Sequence, residues 1–119
     1  MAGSFTLYGI PNCDTVKKAR AWLDANGVAY TFHDYKKAGV DARQLAGWCD
    51  EVGWEALVNR KGTTFRKLDA ALTGGLDRSG ALALMQAHPS LIRRPVVTGA
   101  GPLLVGFTPE AYAARFGAR

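Results

Sequence analysis

Apolar residues recur along the chain with two periods, and the changes of period mark out its elements. Phe5-Thr6-Leu7-Tyr8-Gly9 alternates apolar and polar like a short strand, and Pro11-Asn12 then signals a turn. From Asp14 to about Asn26 the spacing becomes helical. Val16, Ala19, Trp22 and Leu23 share one face, Lys17, Lys18, Arg20 and Asp24 the other, and Asn26-Gly27 ends the helix. Val28 to Tyr35 is rich in β-branched and aromatic residues and reads as a second strand. A strand–helix–strand opening of this kind predicts a parallel pair of strands.

The middle of the chain is helical in pattern. Asp41 is placed to cap a helix whose Leu45, Trp48, Cys49 and Val52 stand at i, i+3, i+4 and i+7, and Gly53 breaks it. A short helical piece, Trp54 to Leu57, leads into the loop Asn59-Arg60-Lys61-Gly62-Thr63. Further helices are predicted over Thr64 to Leu72 and over Gly80 to His88, the latter capped by Ser79 and closed by Pro89. Strand character returns at Pro95-Val96-Val97-Thr98 and at Leu103-Leu104-Val105-Gly106, with Gly99-Ala100-Gly101-Pro102 as the hairpin turn. A last helix has Thr108 as cap, Pro109 at its first position and Glu110 in its first turn. The order βαβ, helical block, ββα is that of a thioredoxin-like α/β fold with a helical insertion. We expect one domain over residues 1–119, with the insertion at about 41–88.

Composition narrows the class. A chain of 119 residues suits one domain, and 48% hydrophobic with 21% charged residues excludes disordered and fibrous classes. The longest apolar run, Ala81 to Met85, is far short of the roughly 20 residues a membrane span needs. The start, Met-Ala-Gly-Ser-Phe-Thr-Leu-Tyr, lacks the basic and apolar regions of a secretory signal, so a cytoplasmic location is expected; separately, we expect a monomer. Two cysteines, Cys13 and Cys49, make no disulfide scaffold, and with only His33 and His88 beside them no zinc spacing arises, so no metal is expected.

The net charge of +5 is unevenly placed. Ten of the fifteen cations lie in adjacent pairs: Lys17-Lys18, Lys36-Lys37, Arg60-Lys61, Arg66-Lys67 and Arg93-Arg94. Clustered cations suit nucleic acid, but no helix carries a long basic stripe and no zinc-finger or aromatic ribonucleoprotein motif is present. Most pairs read as solvated surface, and the sharper alternative is a small anionic substrate held by one or two of them.

Cys13 is the candidate nucleophile. It stands between a strand end and a helix start, where unpaired backbone N–H groups and the positive end of the helix dipole favour an anion. A thiolate there has a lowered pKa and attacks at neutral pH, whereas a cysteine without such surroundings is a small apolar filler. A Cys-x-x-Cys pair would need cysteine at position 16, which is Val16, so the site has a single thiol. A Cys-x5-Arg phosphatase loop would need arginine at 19, which is Ala19; Arg20 comes one residue late. The thiol must then be resolved by a partner from solution or by Cys49, whose place in an apolar helix stripe reads as core. Arg94-Pro95 is the second constellation. A proline entering a strand suits an edge or a cis turn, and in a thioredoxin-like sheet that turn lies beside the nucleophile. Arg94 would then aim its guanidinium fork at an oxyanion and at the thiolate, with Arg93 facing away; the alternative is an ordinary surface arginine.

Three segments carry a family resemblance. Tyr8-Gly9-Ile10-Pro11-Asn12-Cys13-Asp14-Thr15-Val16-Lys17-Lys18-Ala19-Arg20, Gly62-Thr63-Thr64-Phe65-Arg66-Lys67-Leu68 and His88-Pro89-Ser90-Leu91-Ile92-Arg93-Arg94-Pro95 resemble the ArsC/Spx family, and within it the YffB-type proteins. The resemblance implies a thioredoxin-like fold with a helical insertion. It also implies that Cys13 matches the cysteine attacking arsenate in arsenate reductases, and Arg94 one of their oxyanion-binding arginines. The second such arginine falls near Arg60-Lys61, with Lys61 the better match and Arg60 one residue away. Asn12 and Thr15, flanking Cys13, complete the substrate-binding candidates, and Pro95 is the cis-proline candidate. The third family arginine has no counterpart, because the last hairpin reads Leu104-Val105-Gly106-Phe107. Two functions follow from the resemblance. One is a thiol reductase coupled to glutathione or glutaredoxin, acting on a small oxyanion or thiol adduct with no bound cofactor. The other is an Spx-like, non-catalytic regulator binding RNA polymerase. Spx-type regulators often keep a Cys-x-x-Cys switch, absent here, which favours the enzyme.

Overall fold

The computed structural model describes residues 5–60, 63–68 and 74–117. Strand β1, Thr6–Gly9, buries alternate residues, Leu7 and Gly9, on one face. Helix α1, Asp14–Ala25, turns Val16, Ala19 and Leu23 inward at i, i+3 and i+7. Asp14 in its first turn complements the helix dipole, and Gly27 at φ 68° lets the chain leave it. Gly9 is required by close approach. A Cβ there would lie 2.9 Å from Cγ2 of Val16, so only glycine lets the end of β1 come this near the first turn of α1.

Strand β2, Thr31–Asp34, pairs parallel to β1 with Thr6 opposite Thr31 and Gly9 opposite Asp34. It is shorter than the sequence pattern, which ran from Val28, because its ladder ends where β1 ends. Directly after it comes a one-turn helix that the pattern did not show, α2, Tyr35–Ala38. Asp34 Oδ1 accepts hydrogen bonds from the backbone N–H of Lys36 at 3.1 Å and of Lys37 at 3.2 Å, which turns the chain out of the strand.

Strands β3, Val96–Thr98, and β4, Leu104–Val105, complete a mixed sheet of order β2-β1-β3-β4 among the described residues. β3 runs antiparallel to both neighbours, with Leu7 opposite Val97. In the hairpin, Gly99 and Gly101 take φ of 88° and 96°. Arg115 Nη1 donates to the carbonyls of Ala100 and Pro102, both at 2.8 Å, tying the hairpin to the final helix. That helix, Pro109–Phe116, begins as the sequence predicts: Thr108 Oγ1 accepts from the N–H of Ala111 at 3.1 Å, and Pro109 fills the first position. Phe5, Leu7, Val16, Ala19, Leu23, Val97 and Tyr112 form the core of this unit, with Phe107 edge-on to Tyr112 at 4.7 Å. It comprises the chain up to Ala38 and from Arg94 onward. The architecture is thioredoxin-like α/β.

The segment Gly39–Arg93 is a second unit. It holds α3, Ala42–Val52; α4, Trp54–Leu57; α5, Thr63–Lys67; α6, Arg78–Ala87; and a 3-10 turn, Pro89–Leu91. Its core uses Leu45, Trp48, Cys49, Leu57, Ala81, Met85, Leu91 and Ile92. Val58 and Ile92 form an isolated antiparallel bridge, flanked by Asn59 N–H to Leu91 C=O at 2.8 Å and Arg93 N–H to Leu57 C=O at 2.6 Å. Arg78 pairs with Asp50 at 2.7 Å, an exposed contact that contributes little. The cap of α6 is Asp77, whose Oδ1 accepts from Gly80 N–H at 2.8 Å, rather than Ser79, which lies inside the helix. The helix expected over Thr64 to Leu72 is present as Thr63–Lys67; residues 69–73 lie outside the described residues.

Candidate active site around Cys13

Leaving β1, the chain buries Ile10, exposes Pro11 and Asn12, and reaches Cys13 at the N-cap of α1. Cys13 is extended, at φ −126° and ψ 126°, and its carbonyl accepts from Lys17 N–H at 2.9 Å as the first helical bond. Its side chain makes no capping hydrogen bond. The N–H groups of Val16 and Thr15, orphans of the first turn, instead stabilise its anion. The same Val16 whose side chain abuts Gly9 supplies one of the sulfur's donors.

Arg94 enters from the other half of the unit. The Arg94–Pro95 peptide bond is cis. The half-buried guanidinium donates hydrogen bonds to the Cys13 sulfur and to the hydroxyl oxygen of Tyr35, the first residue of α2. Tyr35 is fully buried. Three segments, the start of α1, the end of β2 and the entry to β3, thus meet at one guanidinium.

The electrostatics follow from this meeting. Burial pushes the Cys13 thiol up, but the Val16 N–H, the hydrogen bond and charge of Arg94, and the Thr15 N–H outweigh it and hold the thiol below its ordinary value. For Tyr35 burial wins: its hydroxyl is pushed up to about 12 despite Arg94, with the Cys13 and Asp34 charges adding to the rise. Arg94 loses by burial and gains more from Cys13 and Tyr35, so its pKa is raised and the guanidinium stays charged. The group is therefore a thiol that ionises more readily than an ordinary one, beside a charged guanidinium and a neutral phenol. Such a set makes a nucleophilic sulfur with a fixed cation beside it.

The other residues singled out from the sequence fall elsewhere. Asn12 and Thr15 are exposed, and Thr15 acts on Cys13 through its backbone N–H. Arg60, in the unit Gly39–Arg93, is exposed, with its guanidinium 5.4 Å from the Trp54 ring centroid. Lys61 lies outside the described residues. Arg93 is exposed. Cys49 is buried, and burial raises its thiol. Leu104 to Phe107 are all half-buried. Among the described residues no cluster of His, Cys, Asp or Glu is arranged to hold a metal, and no helix is long and apolar enough to cross a membrane. Tyr35 is the site residue that the sequence reading missed. Placed at the end of a predicted strand, it gave no local sign of a partner near position 94.

A mixed four-stranded sheet with a cysteine at the first strand-to-helix turn and an arginine before a cis-proline defines the class: a thioredoxin-like α/β protein with Val16 where a second active-site cysteine would stand. The chain belongs to the ArsC family, which it matches over residues 8–115. It is similar to the solved structure of the YFFB protein, at 57% identity and a TM-score of 0.89 over 93% of this chain and 97% of that one. An arsenate reductase (ArsC) related protein from Brucella melitensis is 52% identical, with a TM-score of 0.78 over 98% of this chain and 97% of that one. The global transcriptional regulator Spx of Streptococcus agalactiae is 30% identical over 88% of this chain and 77% of its own length.

Proposed function

We propose that this protein is a cytoplasmic, glutathione-dependent thiol reductase in which residues 1–119 act as one ArsC-like domain and Cys13 is the nucleophile. The observation that carries the reading is the Cys13 sulfur set between the Val16 and Thr15 N–H groups and the Arg94 guanidinium, with its thiol held below the ordinary value. Those groups stabilise the thiolate, and Arg94 also supplies a charged donor for a substrate anion.

In the proposed cycle the Cys13 thiolate attacks the glutathionyl sulfur of a mixed disulfide, forming a Cys13–glutathione disulfide. The S–S bond of the substrate breaks, and its thiol leaves with the electron pair. A second glutathione thiolate, free or delivered through glutaredoxin, attacks the glutathionyl sulfur. It releases oxidised glutathione and restores the Cys13 thiolate. The net change is one mixed disulfide reduced and one disulfide of glutathione formed. Small oxyanions that accept a sulfur nucleophile form the second substrate class, with Arg94 and the Arg60-Lys61 pair as anion-binding candidates. Burial of Cys49 leaves resolution to a thiol from solution.

The test is a screen of mixed disulfides and oxyanions with glutathione and glutaredoxin, comparing wild type with Cys13→Ser, together with intact mass after treatment with oxidised glutathione. A single glutathione adduct on Cys13 and turnover lost in Cys13→Ser support the reading. Equal turnover by both proteins overturns it. The similarity to Spx favours a second reading, a regulator that binds RNA polymerase. Copurification with polymerase in the absence of any reductase turnover would put that reading first.

A further inference from the structure

Arg94 is long and half-buried, and one hydrogen bond to Cys13 does not by itself fix where a guanidinium points. A second contact does. Tyr35 is fully buried: it follows Asp34, which pairs with Gly9 across the parallel ladder, and Asp34 Oδ1 accepts from the N–H groups of Lys36 and Lys37 just after it. Gly9 in turn abuts Val16, one of the Cys13 donors. The Tyr35 hydroxyl and the Cys13 sulfur are therefore set from two ends of one backbone frame, with the Arg94 guanidinium hydrogen-bonded to both.

We propose that Tyr35 is a positioning residue for Arg94: its buried hydroxyl accepts one guanidinium N–H, so that another faces the Cys13 sulfur, and reactivity of Cys13 at neutral pH depends on it. Tyr35 touches no reacting atom in this proposal. Its phenol stays neutral throughout the working range, because burial and the nearby anions hold its proton. It serves as a fixed oxygen acceptor rather than a competing anion for Arg94. An ionised residue at the same place would pair with Arg94 and weaken its pull on the thiolate. The proposal deepens the reductase reading by naming what holds its cation, but it is tested without any substrate.

The experiment is the rate of Cys13 alkylation by iodoacetamide against pH, in a Cys49→Ala background, followed by intact mass. Tyr35→Phe keeps the ring and removes only the hydroxyl. The expected result is a thiol midpoint moved toward the ordinary value and alkylation at neutral pH slowed by about 3- to 10-fold. Arg94→Ala should move the midpoint at least as far, and adding Tyr35→Phe to it should change nothing more. A Tyr35→Phe profile that overlays the parent overturns the proposal, even where thermal stability falls, since that is the signature of packing alone. A shift that persists in full on top of Arg94→Ala also overturns it, because Tyr35 would then act by another route. Absence of reductase turnover in wild type counts against the proposed function and leaves the alkylation result to decide this point.

Discussion

The two cysteines differ in exposure, Cys13 partly exposed and Cys49 buried, and their thiols are shifted in opposite directions. Burial raises both thiols. At Cys13, two backbone N–H groups and the Arg94 guanidinium reverse the shift. At Cys49, inside α3, the N–H groups of its own helix are committed to the helix ladder. The nearest charges, Arg78 and Asp50, act in opposite senses and are paired with each other at 2.7 Å. What separates a thiol held low from one held high here is the supply of uncommitted donors, and a helix start has them where a helix middle does not.

The sharpest way to break this contrast is to remove each sulfur in turn. Cys13→Ser should lower turnover of a glutathione mixed disulfide by at least about 10³-fold, because a serine hydroxyl is a poor nucleophile without a base to activate it. Cys49→Ala should keep activity within about twofold and cost about 1 kcal/mol of stability through lost packing. Steady-state rates and denaturant melts of the two variants check this. Comparable losses of activity in both would end the distinction.

Removing the cation instead of the sulfur should have the next largest effect. Arg94→Ala should lower kcat/KM by about 10²-fold, as expected for a charged donor acting in a partly desolvated site. Arg94→Lys should recover little, since an ammonium cannot hold Cys13 and Tyr35 together through a planar fork. Arg93→Ala, at an exposed neighbour, should behave like wild type. If the Arg93 and Arg94 variants lose activity equally, the role belongs to the basic pair and not to the guanidinium at Cys13.

Arsenate probes the same site from the substrate side. Leu104-Val105-Gly106-Phe107 supplies no cation where arsenate reductases are expected to carry a third arginine. One missing charge-assisted donor is worth about 1.5–3 kcal/mol, so arsenate turnover should run about 10- to 100-fold below that of an arsenate reductase assayed alongside. Parity in that assay, with no glutathione adduct on Cys13, would reverse the proposed substrate preference.

How much of this was legible in the sequence depended on whether the deciding interaction was local. The first strand, α1 and the Thr108-capped last helix carry their signals within a few residues, and the pattern places them to within one or two positions. The extent of β2 was not local, because a ladder stops where its partner stops. The one-turn α2 was readable in principle from Asp34 preceding two lysines, but the strand pattern running through Tyr35 concealed it. Asp77 outcompetes Ser79 as cap for a local reason that spacing alone did not rank: its carboxylate reaches the N–H three residues on. At the site, the position of Cys13 was visible as a strand-to-helix turn. The contact between Tyr35 and Arg94 was not, since it is made only when the sheet brings distant segments together.

The smallest expected effect is on stability, and its sign should differ between the two thiols. The folded Cys13 thiol titrates below its unfolded value. Between those two values the unfolded chain holds more protons, so stability rises with pH; the contribution is present above the unfolded value and lost as pH falls through the folded one. The folded Cys49 thiol titrates above its unfolded value. Its contribution is present below the unfolded value and lost as pH rises toward the folded one, because the unfolded chain ionises first. Denaturant melts across pH isolate each by subtraction. The stability difference between wild type and Cys13→Ser should grow on going from acid toward the ordinary thiol range. The difference between wild type and Cys49→Ala should shrink above that range. Cys13 is partly exposed, so solvent screening trims its share, and the sign rather than the size is the test. Two differences that move in the same direction with pH would show that burial, and not the donors at the start of α1, governs both sulfurs.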